Sequence, residues 1–370
     1  GADRSFGDVF HFIEKKHGLS KSGALKYAAD FAAVALLPLS KAKNELTVNQ
    51  KILNDSAEYY HRALFNGPGL QHMTAVRGHL IESLKRMKVG YSDGHLLGFL
   101  RSRGYSFEDI VQSGMVVEKE KDGKTLRYDF FGHGLIVFPS FGKGNVLHFT
   151  CKDPEKKKPS YQLTAEKRSK DWTFYNQDAF GAQKDVILVE GQNDLLSCMD
   201  AGHVNVIGMI GQISKEQIQA LSDRCKEKVL YIWADNDAPK GPKAKRAGDE
   251  TVRKICSALK DRDIKIFVYP GELDPDDYLK GFQGNKALEI ERLKAEAVDY
   301  ISWEILQAGK LESLEDKIES LREYQVFEMI TLQVGINRQI YIDKLERLGL
   351  DREGSERELD ETIDVRRKID

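Results

Sequence analysis

Short apolar runs that alternate with amphipathic helical stretches between residues 186 and about 280 restrict this fold more than any other feature. The runs Val186–Val189, Val229–Trp233 and Ile264–Val268 have the length of buried strands, and helical patterns separate them. Strands that alternate with helices in this way form a parallel sheet with crossover helices. The sequence therefore predicts an α/β sheet in this part of the chain.

Acidic residues lie just past the ends of these three runs, namely Glu190, Asp235, Asp237 and Asp274. The carboxyl ends of parallel strands meet at one edge of a sheet, where ligands bind. Carboxylates held close together repel each other unless a cation or a metal accompanies them, and oxygen ligands alone suit Mg²⁺ or Mn²⁺. Taken singly, each acid has an alternative role in a helix cap or turn. Taken together, they predict a metal site.

Composition narrows the class of protein. The chain has 370 residues, of which 41% are hydrophobic and 31% charged, as in a soluble globular protein of two or three domains. Its formal net charge of −2 hides separate clusters of basic and acidic residues, so a nucleic-acid partner is compatible with it. No apolar run reaches about 18 residues and no signal-peptide pattern is present, which predicts a cytoplasmic protein without membrane contact.

Four cysteines, Cys151, Cys198, Cys225 and Cys256, lie far apart without paired spacing. That arrangement argues against a disulfide framework and against a zinc site within this chain. Buried free thiols are the prediction.

The patterns predict a multi-lobed α+β chain of four parts. Residues 1–45 form a helical tail with a linker, 46–182 an amino-terminal lobe, 183–285 the parallel sheet and 286–370 a helical bundle. Within these parts, a capping box is predicted from Ser214 to Gln217. Helices are predicted over 52–64, 70–112 with a break at 90–94, 287–307, 314–334 and 338–347, and strands over 115–117, 135–138 and 146–149.

Five short motifs resemble, in order, those of the Toprim fold shared by bacterial DnaG-type primases, topoisomerases and some nucleases. They are Val189–Asp194, Gly211–Ser214, Ala234–Asp237, Ala247–Glu250 and Leu273–Asp276. Toprim motifs alone do not distinguish among these enzymes.

The preceding lobe favours the primases, because three of its segments resemble the amino-terminal half of the DnaG RNA polymerase domain: Phe138–Pro139, Phe149–Lys152 and Lys158–Tyr161. The stretch from Ser83 to Tyr91 and the Tyr59–His61 helix are similar to further segments of bacterial and phage primases. Residues 1–31 resemble the helical tail that follows the zinc ribbon of such enzymes, so zinc is expected only in a module absent from this chain.

The resemblance implies a DNA-dependent RNA primase that makes short RNA primers from ribonucleoside triphosphates on single-stranded DNA. It implies two-metal nucleotidyl transfer, with Glu190 near the reacting phosphate as a metal ligand or base. Asp235 and Asp237 would be catalytic metal ligands, Asp274 and Asp276 would complete the metal site, and Asp194 would support the first motif. A replicative helicase is the expected protein partner.

Basic residues are needed beside the metals, because phosphoryl transfer depends on positioning and charge neutralisation. Lys152 has strand spacing and lies where the family has an arginine. Solvated loops are the alternative role for the lysine runs, and packing is favoured over base stacking for Trp172, Phe174 and Tyr175. The candidates for binding nucleotide or nucleic acid are Lys152, Lys158, Lys167, Arg168, Lys243, Lys245 and Arg246.

Three departures from the family pattern keep other functions open. The family's arginine-rich approach to the Phe-Pro motif is replaced by Tyr128–Gly134, Ser160 stands where a lysine is expected, and residues 238–245 are inserted after Asp237. The alternatives are a Toprim nuclease and a non-catalytic nucleic-acid-binding module of the replisome.

Overall fold

The computed structural model describes residues 9–32, 34, 46–155, 160–163, 167–181, 183–236 and 246–369. The chain divides into two compact units, the first formed by Gly1–Arg262 with Gly271–Glu291 and the second by Asp263–Pro270 with Arg292–Asp370. Four predicted site residues lie outside the described ranges, namely Asp237, Lys158, Lys243 and Lys245. Within those ranges, no helix combines the length and apolar character that crossing a bilayer requires.

The first unit begins with helices, as the sequence predicts. A π-helical turn, His72–Val76, follows the fourth helix. The break predicted at 90–94 contains a short strand that the sequence analysis missed, β1 (Gly90–Ser92). The helices are α1 (Val9–His17), α2 (Lys21–Phe31), α3 (Val48–Asn66), α4 (Pro68–Gln71), α5 (Ile81–Arg86), α6 (Leu96–Ser102) and α7 (Phe107–Ser113).

Two antiparallel sheets follow. A hairpin joins β2 (Val116–Lys121) to β3 (Lys124–Asp129), and its turn residues Asp122 and Gly123 both have positive φ, as a tight two-residue turn requires. The larger sheet has the order β1-β4-β5-β6. Its other strands are β4 (Leu135–Gly142), β5 (Asn145–Lys152) and β6 (Ser160–Gln162). The strands predicted here are present, and β5 extends far enough to end at Lys152.

Aromatic side chains fill the core between these sheets and the helices. Tyr60 of α3 packs edge-on against Phe131 and Phe149, with ring centroids 6.3 and 6.1 Å apart. Phe174 and Tyr175 are fully buried, which confirms their predicted packing role, and a 3₁₀-helix follows at Gln177–Phe180. Trp172 is also buried, and so are all four cysteines, which are free thiols as predicted.

The predicted parallel sheet is present in the first unit, with β7 (Asp185–Val189) between β8 (Val206–Gly208) and β9 (Val229–Ile232). Its helices are α8 (Gln192–Asp200), α9 (Lys215–Arg224), α10 (Ala247–Ala258) and α11 (Pro275–Gly281). The predicted capping box starts α9, where Ser214 and Gln217 exchange hydrogen bonds. The sheet thus brings the ends of β7 and β9 to one edge.

The second unit contains a strand and a helical core. Strand β10 (Ile264–Ile266) makes an antiparallel bridge between Ile266 and Val298, so the predicted continuous helix over 287–307 is wrong. The predicted helix over 314–334 is also interrupted, because Gln325 adopts a left-handed conformation with φ 57°. Helix α12 (Lys286–Glu296) begins in the first unit and ends in the second. The helices that follow are α13 (Tyr300–Ala308), α14 (Leu314–Glu323), α15 (Val326–Thr331), α16 (Ile336–Leu348) and α17 (Arg352–Ile369).

Candidate active site

Three of the predicted acids meet at the carboxyl edge of the parallel sheet. Glu190 directly follows β7, and its Oε1 accepts a hydrogen bond of 3.2 Å from the backbone N–H of Asp235, which lies just beyond β9. The next N–H, of Asn236, donates to the carbonyl of Leu273 at 3.2 Å. Asp274 therefore lies beside the segment that follows β9. All three carboxylate residues are partly buried, and Oδ1 of Asp235 is itself buried.

The segment that carries Asp235 is packed tightly against the start of α10. A methyl group added at Gly248 would lie 2.1 Å from the carbonyl oxygen of Asp235 and 3.2 Å from its nitrogen. No other residue type allows the backbones to approach this closely. Gly248, in the predicted Ala247–Glu250 motif, thus fixes where Asp235 lies.

Two further acids lie deeper. Asp194, in the first turn of α8, accepts a hydrogen bond from the Gly191 N–H at 2.7 Å and another from the Asp276 N–H at 3.3 Å. Its burial, together with the negative charge of Asp274, raises its pKa to about 7, although Lys152 opposes the shift. Asp194 thereby links the loop after β7 to the first turn of α11.

Lys152 reaches this edge from the antiparallel sheet. Burial lowers the pKa of Lys152, and the nearby carboxylate of Asp194 partly restores it. A second contact fixes the approach, because Gln192 at the start of α8 donates to the hydroxyl of Thr150 on β5 at 2.8 Å. The predicted lysine of the preceding lobe therefore lies next to the acids Asp194 and Asp274 at this edge.

Asp276 is fully buried and already has protein cations beside it. Its Oδ2 accepts hydrogen bonds from Arg77 at 2.6 Å and from Lys280 at 2.7 Å, and its Oδ1 accepts from the hydroxyl of Ser197. Burial alone would raise the pKa of Asp276, but Lys280, Ser197 and Arg77 together lower it below its usual value. The sequence analysis missed Arg77, which is 199 positions from its partner. Lys280 could have been found, because it lies four residues after Asp276 on one helix face.

The donor chemistry of this edge fits a hard divalent cation. Ligand oxygens of Asp274, Asp276 and Asp277 lie within 4.8 Å of one another. Arg77 and Lys280 balance the charge of Asp276. Glu190, Asp235 and Asp274 bring three further carboxylates to the same edge. Carboxylate oxygens with this exposure suit Mg²⁺ or Mn²⁺, which retain several waters and also bind substrate phosphates.

The other predicted basic residues within the described ranges, Lys167, Arg168 and Arg246, make contacts within the protein. Lys167 donates to the carbonyl of Gln112 at 2.8 Å, and the guanidinium of Arg168 lies 5.0 Å from the centre of the Trp172 ring. Arg246 donates to the backbone and side-chain oxygens of Asn236 at 2.8 and 2.7 Å and also pairs with Glu272. Arg246 thus braces the segment after Asp235.

Comparisons with known proteins agree with this architecture. A Toprim-like family model matches residues 187–279. A DNA primase of Clostridium acetobutylicum is 26% identical over 359 residues, covering 92% of this chain and 57% of that protein. The chain spans about half the length of the curated relatives it matches.

Solved structures show the same fold over most of the chain. The Aquifex aeolicus primase, with its zinc-binding and RNA polymerase domains, has a TM-score of 0.61 at 20% identity and covers 94% of this chain and 84% of that one. The RNA polymerase domain of Mycobacterium tuberculosis primase DnaG, in complex with a double-stranded DNA oligomer with a 6-nucleotide overhang, has a TM-score of 0.62 at 17% identity. That match covers 82% of this chain and 97% of the other. The chain therefore has the fold of the DnaG primase RNA polymerase domain, contains a Toprim-like segment, and has DNA primases as its sequence relatives.

Proposed function

We propose that this chain is the catalytic core of a DNA primase, a DNA-directed RNA polymerase that joins ribonucleoside triphosphates into short primers on single-stranded DNA. The observation that carries the proposal is that Lys152, from the antiparallel sheet, lies beside Asp194 and Asp274 at the edge of the parallel sheet where Glu190 and Asp235 also lie. A cation beside an acidic edge suits a triphosphate bound through divalent metal. The DNA-bound DnaG domain of M. tuberculosis supports a nucleic-acid template.

The proposed reaction is attack by a 3′-hydroxyl on the α-phosphate of an incoming nucleotide, with pyrophosphate leaving. When bound, divalent ions would supply charge neutralisation at the attacking and leaving oxygens. Glu190, Asp235, Asp237 and Asp274 are the proposed ligands, and Glu190 is alternatively the proposed base that accepts the proton of the hydroxyl. Lys152 would bind the triphosphate.

Two buried carboxylates have a supporting role in this proposal. Asp194 accepts the N–H groups of Gly191 and Asp276, and so holds together the two loops that carry Glu190 and Asp274. Asp276, proposed from the sequence as a ligand, already accepts three protein donors, so we assign it mainly to holding the loop. Lys158, Lys167, Arg168, Lys243, Lys245 and Arg246 remain proposed contacts for template or nucleotide, and a replicative helicase remains a proposed partner.

A primer-synthesis assay tests this function against its alternatives. The protein is incubated with single-stranded DNA of mixed sequence, labelled ribonucleotides and Mg²⁺ or Mn²⁺, and both the label and the template are followed on gels. Labelled oligomers support the primase. Cleavage of the template would instead indicate a Toprim nuclease, and DNA binding without either product would indicate a non-catalytic module.

Asp235→Asn is the sharpest variant for this assay. The amide keeps the shape of the side chain but removes the charge, so primer synthesis is expected to fall by at least about 100-fold while the fold stays intact. The matched control is Asp223→Asn on the exposed face of α9, which should keep full activity. Full activity in Asp235→Asn, with an unchanged circular dichroism spectrum, would refute the metal assignment.

A further inference from the structure

Residues 72–80, which connect α4 to α5, pack onto α8 and α11, the two helices that begin at the acidic edge. We call this stretch the latch segment. It starts with the π-helical turn His72–Val76, in which the Arg77 N–H donates to the carbonyl of His72 at 2.9 Å. A π turn accommodates one residue more than an α-helical turn, and such turns are frequent at functional sites. This turn places Arg77 next to the helices that flank the parallel sheet.

The latch segment holds both helices through charged hydrogen bonds. Arg77 binds the fully buried carboxylate of Asp276 in the first turn of α11 at 2.6 Å. His79, itself buried, contacts Asp200 at the end of α8, with Nδ1 2.9 Å from Oδ2, and the Leu80 N–H donates to the other oxygen at 3.2 Å. One short segment thus restrains α8 and α11 together.

The restrained helices carry the residues that matter at the acidic edge. Asp194 lies in the first turn of α8, and Asp274 is the N-cap of α11, where it accepts the Asp277 N–H at 2.6 Å. The two turns are joined directly, because the Asp276 N–H donates to Asp194 and the Ser197 hydroxyl donates to Asp276. A shift of Asp276 therefore moves Asp274 with it.

We propose that Arg77 and His79 are positioning residues that hold the first turns of α8 and α11 in the arrangement that binds the divalent cation. This inference rests on the proposed function for the site, and it assigns a role to a segment outside the Toprim-like match. Neither side chain is a metal ligand. Partners that orient ligand side chains typically change metal affinity by 10–100-fold when they are lost.

A purely structural role for Arg77 gives a different result. If Arg77 only attaches the latch segment to α11, its loss lowers the stability of the protein. The affinity of the folded protein for metal then stays unchanged. The positioning role predicts weaker metal binding in a protein that remains folded. The two roles are therefore separated by titrating the metal itself.

The experiment measures Mn²⁺ binding by electron paramagnetic resonance, with Mn²⁺ alone as the probe and no nucleotide or DNA. Arg77→Met removes the charge, whereas Arg77→Lys keeps the charge but loses the planar guanidinium. His79→Asn keeps one donor for Asp200, and His79→Ala removes it. The control is Arg103→Met, which breaks the exposed pair with Asp55 in the same region. Circular dichroism and thermal melting are recorded for every variant.

Arg77→Met is expected to weaken Mn²⁺ binding by about 10–100-fold and Arg77→Lys by less, with Arg103→Met unchanged. His79→Ala should weaken binding and His79→Asn should restore it. In primer synthesis, Arg77→Lys should need more Mn²⁺ but recover its turnover at saturating metal. If Arg77→Met does not fold, the Lys variant decides the matter.

Unchanged Mn²⁺ affinity in folded Arg77 variants would overturn the latch proposal while leaving the proposed function standing. Normal Mn²⁺ binding and the expected Arg77 effect, without any primer synthesis, would support the latch and refute the primase. An unaltered protein that binds no Mn²⁺ would overturn both the metal site and the latch.

Discussion

Gly248 shows how strongly one missing methyl group determines the position of a charged side chain 13 residues earlier. The carbonyl of Asp235 occupies the space where any other residue would place its Cβ atom. Backbone cannot move aside as a flexible side chain can, so the clash is transmitted to the Asp235 segment. The Asp235 N–H, bonded to Glu190, would move as well.

Gly248→Ala is therefore expected to destabilise the protein by about 1–3 kcal/mol and to weaken Mn²⁺ binding. The matched control is Gly98→Ala inside α6, where an added Cβ meets nothing within 4 Å. That control should be neutral or stabilising by up to about 1 kcal/mol, because alanine favours the helix. Urea unfolding and Mn²⁺ titration measure both effects. Equal behaviour of the two variants would contradict the close-packing argument.

Single residues of the site differed in how far the sequence could predict them. Glu190, Asp235 and Asp274 were predictable because each follows an apolar run, and strand ends converge whenever the strands are parallel. Arg77 was not, because its partner is 199 positions away and no local pattern connects them. The roles of all these residues in metal binding stay predictions until a metal is measured.

At the scale of elements, strand β5 combines a lysine at the acidic edge with a buried histidine in its middle. His148 is fully buried, packs against Trp172 with ring centroids 4.6 Å apart, and places Nε2 3.3 Å from Oε1 of Gln162. Burial disfavours the charged imidazolium and lowers the pKa of His148 to about 4. The strand is thus built around a neutral ring.

This burial predicts that β5 makes the protein sensitive to acid. The unfolded chain binds the proton with an ordinary pKa of about 6.5, so the contribution of His148 to stability is full above that pH. This contribution is lost progressively as the pH falls from about 6.5 to about 4. The total loss of stability is about 3 kcal/mol.

His148→Met keeps an apolar side chain of similar size without a titrating group. As the pH falls through this range, the unaltered protein should lose about 3 kcal/mol of unfolding free energy relative to His148→Met. The control is His95→Gln, at an exposed position before α6, which should keep the original profile. Urea unfolding from pH 7.5 to 4 measures the three proteins, and parallel profiles for the unaltered protein and His148→Met would contradict the prediction.

Elements were predictable where the local signal was long or specific. The Ser214 capping box and the strands of the parallel sheet were recognised from their patterns and are present. The hairpin turn at Asp122 and Gly123 was overlooked although this pair is a strong turn signal. Strand β1 is only three residues long and owes its extended form to pairing with β4, 45 residues later, so local propensity does not reveal it.

At the scale of the whole molecule, each compact unit has its own apolar core. In the first unit, Phe149 is fully buried among residues of α3, β4 and β5. In the second, Phe327 is buried among residues of α13, α16 and α17. Chains with separate cores commonly depart from two-state unfolding.

Two matched substitutions test this independence. Phe149→Ala and Phe327→Ala each remove a fully buried ring and should each cost about 3–5 kcal/mol. Calorimetry is expected to show two transitions, with each variant lowering the midpoint of a different one. A single transition lowered equally by both variants would show that the units unfold together.

The second unit takes residues 263–270 from the middle of the chain and the rest from beyond residue 291. During synthesis, the strand β10 therefore leaves the ribosome before its bridging partner Val298 and well before the helical core that completes its unit. At about 5–20 residues per second, the roughly 100 residues that follow need roughly 5–20 s. For that time the apolar core of the second unit is incomplete, so a cellular chaperone can bind its helices before they pack together.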